Sequence, residues 1–241
     1  MWNAVLWGGV SGSAVLLGAL MALFIPIKKK AIGYIMAFGT GVLIGAAAYE
    51  LLGDSVRDGG IVATSIGFIA GAAVFTGLDF LVSKKGASKR KRSNHASTKE
   101  AGLAIFIGTV MDAIPESIMI GASLISGGAV SWLLVIAIFI SNIPEGLSST
   151  TGLVNSHYSK KKIMALWFSV LIISAMSSLG GYLFLDQASE AMMAGMAAFA
   201  GGGIIAMVAS TMMPEAYEDS GPITGIFASA GLLVSLVLDS M

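Results

Sequence analysis

AGLAIFIGTVMDAIPESIMIGASL, residues 101–124, runs for 24 positions with no basic side chain and only two acidic ones, Asp112 and Glu116. A helix of that length is about 36 Å long at roughly 1.5 Å per residue, enough to cross a hydrocarbon layer about 30 Å thick. The segment therefore reads as a membrane-spanning helix that carries carboxyl groups in its interior. Seven more charge-poor stretches lie around it, at 5–26, 31–52, 60–82, 130–153, 163–185, 191–213 and 222–239. The first follows Met1-Trp2-Asn3-Ala4 directly, with neither a basic leader nor a small-residue cleavage site, so it reads as a retained helix and not as a removed signal peptide.

The composition agrees. Of 241 residues, 56% are hydrophobic and 12% charged, with a mean hydropathy of +0.85. Ordinary soluble domains carry about twice that share of charge. The absence of cysteine excludes disulfide scaffolds, thiolate metal sites and cysteine nucleophiles. The expected fold is thus an all-α polytopic membrane protein, with residues 1–241 forming one transmembrane domain.

Only residues 83–100, SKKGASKRKRSNHASTKE, could not sit in lipid, and they read as a basic, disordered loop. Its Lys89-Arg90-Lys91-Arg92 run is a topological marker and not a nucleic-acid patch, because the other basic residues fall on the same side of the membrane. With eight helices, the loops after the first, third and fifth share one face. They hold Lys28, Lys29 and Lys30, then seven basic residues from Lys84 to Lys99, then Lys160, Lys161 and Lys162. Only Arg57 lies elsewhere, so 13 of 14 positive charges share one side. The positive-inside rule makes that side cytoplasmic and puts both termini outside, as for a multi-pass protein of the plasma (inner) membrane.

The chain also repeats itself. Shifted by 161 positions, residues 37–60 (AFGTGVLIGAAAYELLGDSVRDGG) lie without a gap on residues 198–221 (AFAGGGIIAMVASTMMPEAYEDSG). Ala37, Phe38, Gly41, Ile44, Ala48, Asp58 and Gly60 match identically, and Asp54 falls on Glu215. The two stretches belong to the second and seventh helices, which cross in opposite directions. An inverted repeat is a transporter signature, with the binding site expected near the midplane.

The chemistry lies in the fourth and fifth helices, where Ile114-Pro115-Glu116 and Ile143-Pro144-Glu145 are the same tripeptide. Intramembrane acids are costly and normally face a partner inside the bundle. None of the eight segments holds Lys, Arg or His. Asp112, Glu116 and Glu145 must then hold protons, bind an external cation, or do both in turn. Asp112 and Glu116 share one helix face, as do Ser141, Glu145 and Ser148, with Asn142 alongside. Each proline frees the carbonyl four residues earlier, at Met111 and Ile140. Carboxylates and freed carbonyls together make an oxygen-rich cage for a metal ion. No nucleophile–base pair stands in the helices, so the chain reads as no enzyme.

These two helices resemble the core of the ZIP (Zrt/Irt-like protein) metal transporters, whose fourth helix carries His-Asn-x-Pro-Glu-Gly and whose fifth carries His-x-x-Pro followed by Glu or His. Here they stand as Asp112-Ala113-Ile114-Pro115-Glu116-Ser117 and Ser141-Asn142-Ile143-Pro144-Glu145-Gly146. The resemblance implies eight transmembrane helices in a 3+2+3 arrangement, helices 1–3 being the inverted repeat of helices 6–8. It implies a main metal site of Asp112, Glu116, Ser141 and Glu145, and a second site through Asn142. That second site is weakened, since Ala113 has no ligating side chain and the sixth helix offers only Ser169, Ser174, Ser177 and Ser178. Glu50, Asp54, Glu215 and Glu218 stand at places corresponding to pathway mouths, where interfacial solvation would also account for them. His95 resembles a remnant of the family's His-rich loop.

The implied substrate is a divalent cation, zinc, manganese or iron, moved into the cytoplasm by alternating access without a prosthetic group. The two family histidines are replaced by hard ligands, which raises manganese and ferrous iron relative to zinc. The alternative is a proton-linked carrier of another solute using the same buried acids. The lipid bilayer is the expected surrounding, nucleic acid is not an expected partner, and assembly as a homodimer is left open.

Overall fold

The computed structural model describes residues 1–84, 99–127 and 130–240. The basic loop expected over 83–100, with His95, lies almost wholly outside them. Among the described residues the chain is entirely helical between turns. This is what a lipid environment demands, since a helix satisfies its backbone polar groups internally.

In order, the elements are α1 (Trp2–Phe24), α2 (Lys29–Ala46), a π turn (Ala47–Gly53), α3 (Asp54–Lys84), α4 (Lys99–Gly127), α5 (Trp132–Asn155), α6 (Lys160–Leu185), α7 (Glu190–Met207), a second π turn (Val208–Met212), α8 (Met213–Ser220), a 3₁₀ turn (Gly221–Ile223) and α9 (Thr224–Asp239). Ser131, Ser159 and Ser189 cap α5, α6 and α7, each hydroxyl accepting from a backbone N–H three residues on.

By length and composition, six apolar helical stretches among the described residues can cross a membrane. Four of them, Trp2–Phe24, Gly102–Ile125, Trp132–Asn155 and Lys160–Leu185, lie within a few residues of the expected segments. The other two, Lys29–Val82 and Glu190–Asp239, are 54 and 50 residues long. As single straight rods each would reach about 75–80 Å, far beyond one bilayer. Each is interrupted near its middle by a glycine that leaves helical geometry, Gly60 (φ 79°, ψ 163°) and Gly221 (φ 70°, ψ −154°). This region of backbone space is essentially reserved for glycine. After each break a threonine hydroxyl turns back on the glycine carbonyl, Thr64 at 2.9 Å and Thr224 at 2.6 Å.

Gly60 and Gly221 are 161 positions apart, as are the starts of the two π turns, Ala47 and Val208. The packing follows the same relation. The strongest helix pairings are α3 with α7, α2 with α9, α1 with α5, α1 with α6 and α4 with α6. Matched residues explain the first two. A side chain on Gly71 would strike the Phe199 carbonyl, and one on Gly231 would strike the Phe38 carbonyl. Gly41 lies against Ala228 in the same way, and Gly202 against Phe68. Phe38/Phe199 and Gly41/Gly202 are repeat-related pairs, so these identities are places where one helix backbone rests on another.

Reciprocal glycine contacts hold two of the three remaining pairs. Between α1 and α5, Gly18 meets the Ile143 carbonyl and Gly146 meets the Val15 carbonyl. Between α4 and α6, Gly181 meets the Ile118 carbonyl and Gly121 meets the Ser178 carbonyl. α5 is the most enclosed of the apolar stretches. Large apolar side chains such as Ile61, Ile66, Ile69, Ile226, Leu233 and Val237 face outward from α3 and α9. A surface of that kind suits lipid and would not stay dispersed in water.

Candidate metal pathway

All five residues expected at the metal site are enclosed. Asp112 and Glu116 on α4 are 3% and 2% exposed, and Ser141, Asn142 and Glu145 on α5 are 1%, 3% and 4% exposed. Helical spacing explains the common burial on α5, where Ser141, Glu145 and Ser148 fall on one stripe that faces the bundle. Pro115 and Pro144 both sit inside helices that continue past them. The Ile140 carbonyl, which loses its helical donor to Pro144, lies beside Gly39 of α2, where no side chain stands between the two backbones.

The polar partners are specific. The Ser141 hydroxyl donates to the Ile138 carbonyl at 3.0 Å, which leaves its oxygen lone pairs to face a cation or a hydrogen-bond donor. Asn142 Nδ2 donates to the Ser11 carbonyl on α1 at 3.4 Å, a long bond that ties α5 to α1. Ser174 and Ser178, two of the four hydroxyls considered for a second site, are buried where α6 meets Gly12 and Gly8 of α1, so close helix packing accounts for their small size. Among the described residues, no three carboxylate or imidazole side chains converge closely enough to hold an ion by themselves.

The four outer acids divide. Glu218 is exposed and Glu50, in the first π turn, is half-buried. Asp54 is half-exposed and pairs with Arg57 at 3.1 Å, an i,i+3 contact at the surface. Glu215 departs from the interfacial environment that its position near a segment end suggested. It is only 4% exposed and accepts a hydrogen bond from Ser148 of α5. A polar group enclosed to that degree needs such a partner.

Glu50 and Asp54 line a cavity of about 720 Å³ together with Asp58, Asp186, Glu190 and Arg57. The cavity is bounded by the ends of α4 and α6, the starts of α5 and α7 and the first π turn. These ends alternate with the lysine-bearing ones, so the cavity opens on the lysine-poor face. Five carboxylates against one guanidinium make its mouth attractive to cations. Asp186 and Glu190 did not stand out in the sequence, although the alternation of loops places residues 185–190 on the same side as residues 53–60. Ser123 and Ser131, also in the lining, gave no signal beyond their hydroxyls.

The chain matches the family model described as ZIP Zinc transporter over residues 81–238. No curated protein gives a significant match to the chain. The matched region begins near the end of α3, so α1, α2 and most of α3 lie outside it.

Proposed function

Since this chain belongs to the ZIP zinc transporter family, we propose that it carries a divalent cation into the cytoplasm by alternating access, through Asp112, Glu116, Ser141 and Glu145. Asn142 borders that site and positions α5 on α1. One observation carries the reading: three carboxyl groups stand almost fully enclosed on adjacent helices of a membrane-embedded bundle. Desolvation makes uncompensated charge there expensive, and a divalent cation compensates it directly. With both family histidines replaced by oxygen ligands, manganese and ferrous iron compete with zinc as the preferred cargo.

In this reading the breaks at Gly60 and Gly221 each divide one long apolar stretch into two spans. The result is eight spans in a 3+2+3 order, with both termini outside a plasma membrane and residues 1–241 acting as one domain. The paired interruptions and the equivalent helix pairings support it. The cation enters by the acidic cavity that Glu50 and Asp54 line and leaves past Glu215 and Glu218.

The lack of a three-acid cluster among the described residues favours a second reading, in which the same carboxyl groups relay protons for another solute. Thermal unfolding of the purified protein separates the two. A metal carrier is stabilised by added manganese or zinc, by about 2.7 kcal/mol when the ion is at 100 times its Kd. Glu116→Gln and Glu145→Gln should lose most of that shift. No shift with any divalent ion would favour the proton relay.

A further inference from the structure

We propose that Ser148 with Glu215, and Ser123 with Asp54, are alternating closures at the two ends of the pathway, one made and the other open in this structure. The inference rests on the two-repeat reading above and adds the residues that would lock each end.

Two independent correspondences lead to it. The 161-residue offset pairs Asp54 with Glu215, each just past its π turn. The reciprocal glycine contacts pair α5 with α4, because Gly146 meets Val15 of α1 in the way that Gly121 meets Ser178 of α6. Ser148 lies two residues beyond Gly146, and Ser123 lies two residues beyond Gly121. The structural counterpart of the Ser148–Glu215 pair is therefore Ser123–Asp54.

The counterparts differ in state. Glu215 is 4% exposed and held by the Ser148 hydroxyl. The Asp54 side chain is 50% exposed and turned to Arg57. Ser123 donates to its own helix at the Ile120 carbonyl (2.8 Å) and accepts from the Ser131 N–H (3.1 Å), while lining the same cavity as Asp54. The end near Glu215 is thus closed by a contact between α5 and α8, and the end near Asp54 stands open. Inverted repeats reach the opposite state by exchanging conformations around a fixed site. The exchange releases Glu215 from Ser148 and brings Asp54 onto Ser123. A carboxylate closes each end in turn, and its release leaves an acid facing the cation path.

The absence of cysteine makes a clean test possible. Asp54→Cys/Ser123→Cys, with Ser148 and Glu215 intact, is reconstituted in liposomes and treated with a short bifunctional thiol reagent, with and without a manganese gradient. Crosslinking should be low at rest and rise at least threefold during turnover, and crosslinked protein should stop taking up manganese. A second measurement covers the case in which that variant is damaged. Asp54→Cys alone should react quickly with an impermeant maleimide, and adding Ser148→Ala should slow it severalfold by releasing the opposite closure. Crosslinking that ignores the gradient, or a maleimide rate unmoved by Ser148→Ala, would overturn the proposal. Manganese uptake by the unsubstituted protein is read in the same liposomes, so failure of transport is distinguished from failure of the closures.

Discussion

Gly41 and Gly202 give the sharpest packing prediction. They are repeat-related, and each holds a helix backbone directly against its neighbour, Gly41 against Ala228 and Gly202 against Phe68. A carbon atom rests about 3.3 Å or more from a carbonyl oxygen. A methyl group at either glycine would overlap that oxygen, so the helix pair must part by roughly 1 Å. A gap of about 0.5–1 Å forfeits a quarter to a half of each pairwise attraction, and overpacking of this kind typically costs about 1–3 kcal/mol. Gly41→Ala and Gly202→Ala should each destabilise by about 2 kcal/mol. The sites lie in different helix pairs, α2 with α9 and α3 with α7, so the double variant should lose about 4 kcal/mol by additivity. Gly77 and Gly225 have open space where a methyl group would go, and alanine there should be neutral or stabilising by about 0.5–1 kcal/mol. Reversible unfolding in detergent micelles measures all five proteins. Equal effects at Gly41 and Gly77 would refute the packing argument.

Gly60 and Gly221 also have open space around them, yet alanine should cost about 1–3 kcal/mol at each, because the backbone conformation and not the volume is the obstacle; unfolding midpoints equal to those of Gly77→Ala would contradict this. Trp167 is fully buried and donates through Nε1 to the Thr150 hydroxyl at 2.7 Å. A double-mutant cycle of Trp167→Phe and Thr150→Val should return a coupling of about 1 kcal/mol, and additive effects would show that the bond contributes nothing.

Much of this architecture was legible in the sequence because lipid imposes a simple rule. Uncharged stretches of about 20 residues had to be helices, and the positions of Lys28–Lys30 and Lys160–Lys162 suggest an order for them across the membrane. The repeat exposed Phe38 and Gly41, whose identity with Phe199 and Gly202 has a packing cause that only the structure reveals. Burial of Asp112, Glu116 and Glu145 also followed from their place in the segments. Conformation at matched positions was less legible. Gly60 and Gly221 were visible as an identity, but no residue type announces a φ near 70–80°, and the π turns before them leave no composition signal. Glu215 lay near a segment end, where water is the default partner. Its enclosure comes from the packing of α8 against α2 and from the reach of Ser148, a tertiary outcome that local sequence does not encode. Asn142 likewise revealed its tie to Ser11 only once α1 was laid beside α5.

The central claim is that the buried carboxylates of α4 and α5 carry the cation. Uptake of manganese, zinc, ferrous iron and cadmium into liposomes holding the purified protein tests it most directly. Uptake of at least one of these ions is expected, falling to the level of protein-free liposomes for Glu116→Gln and Glu145→Gln while both variants remain folded. Undiminished uptake by both variants would contradict it.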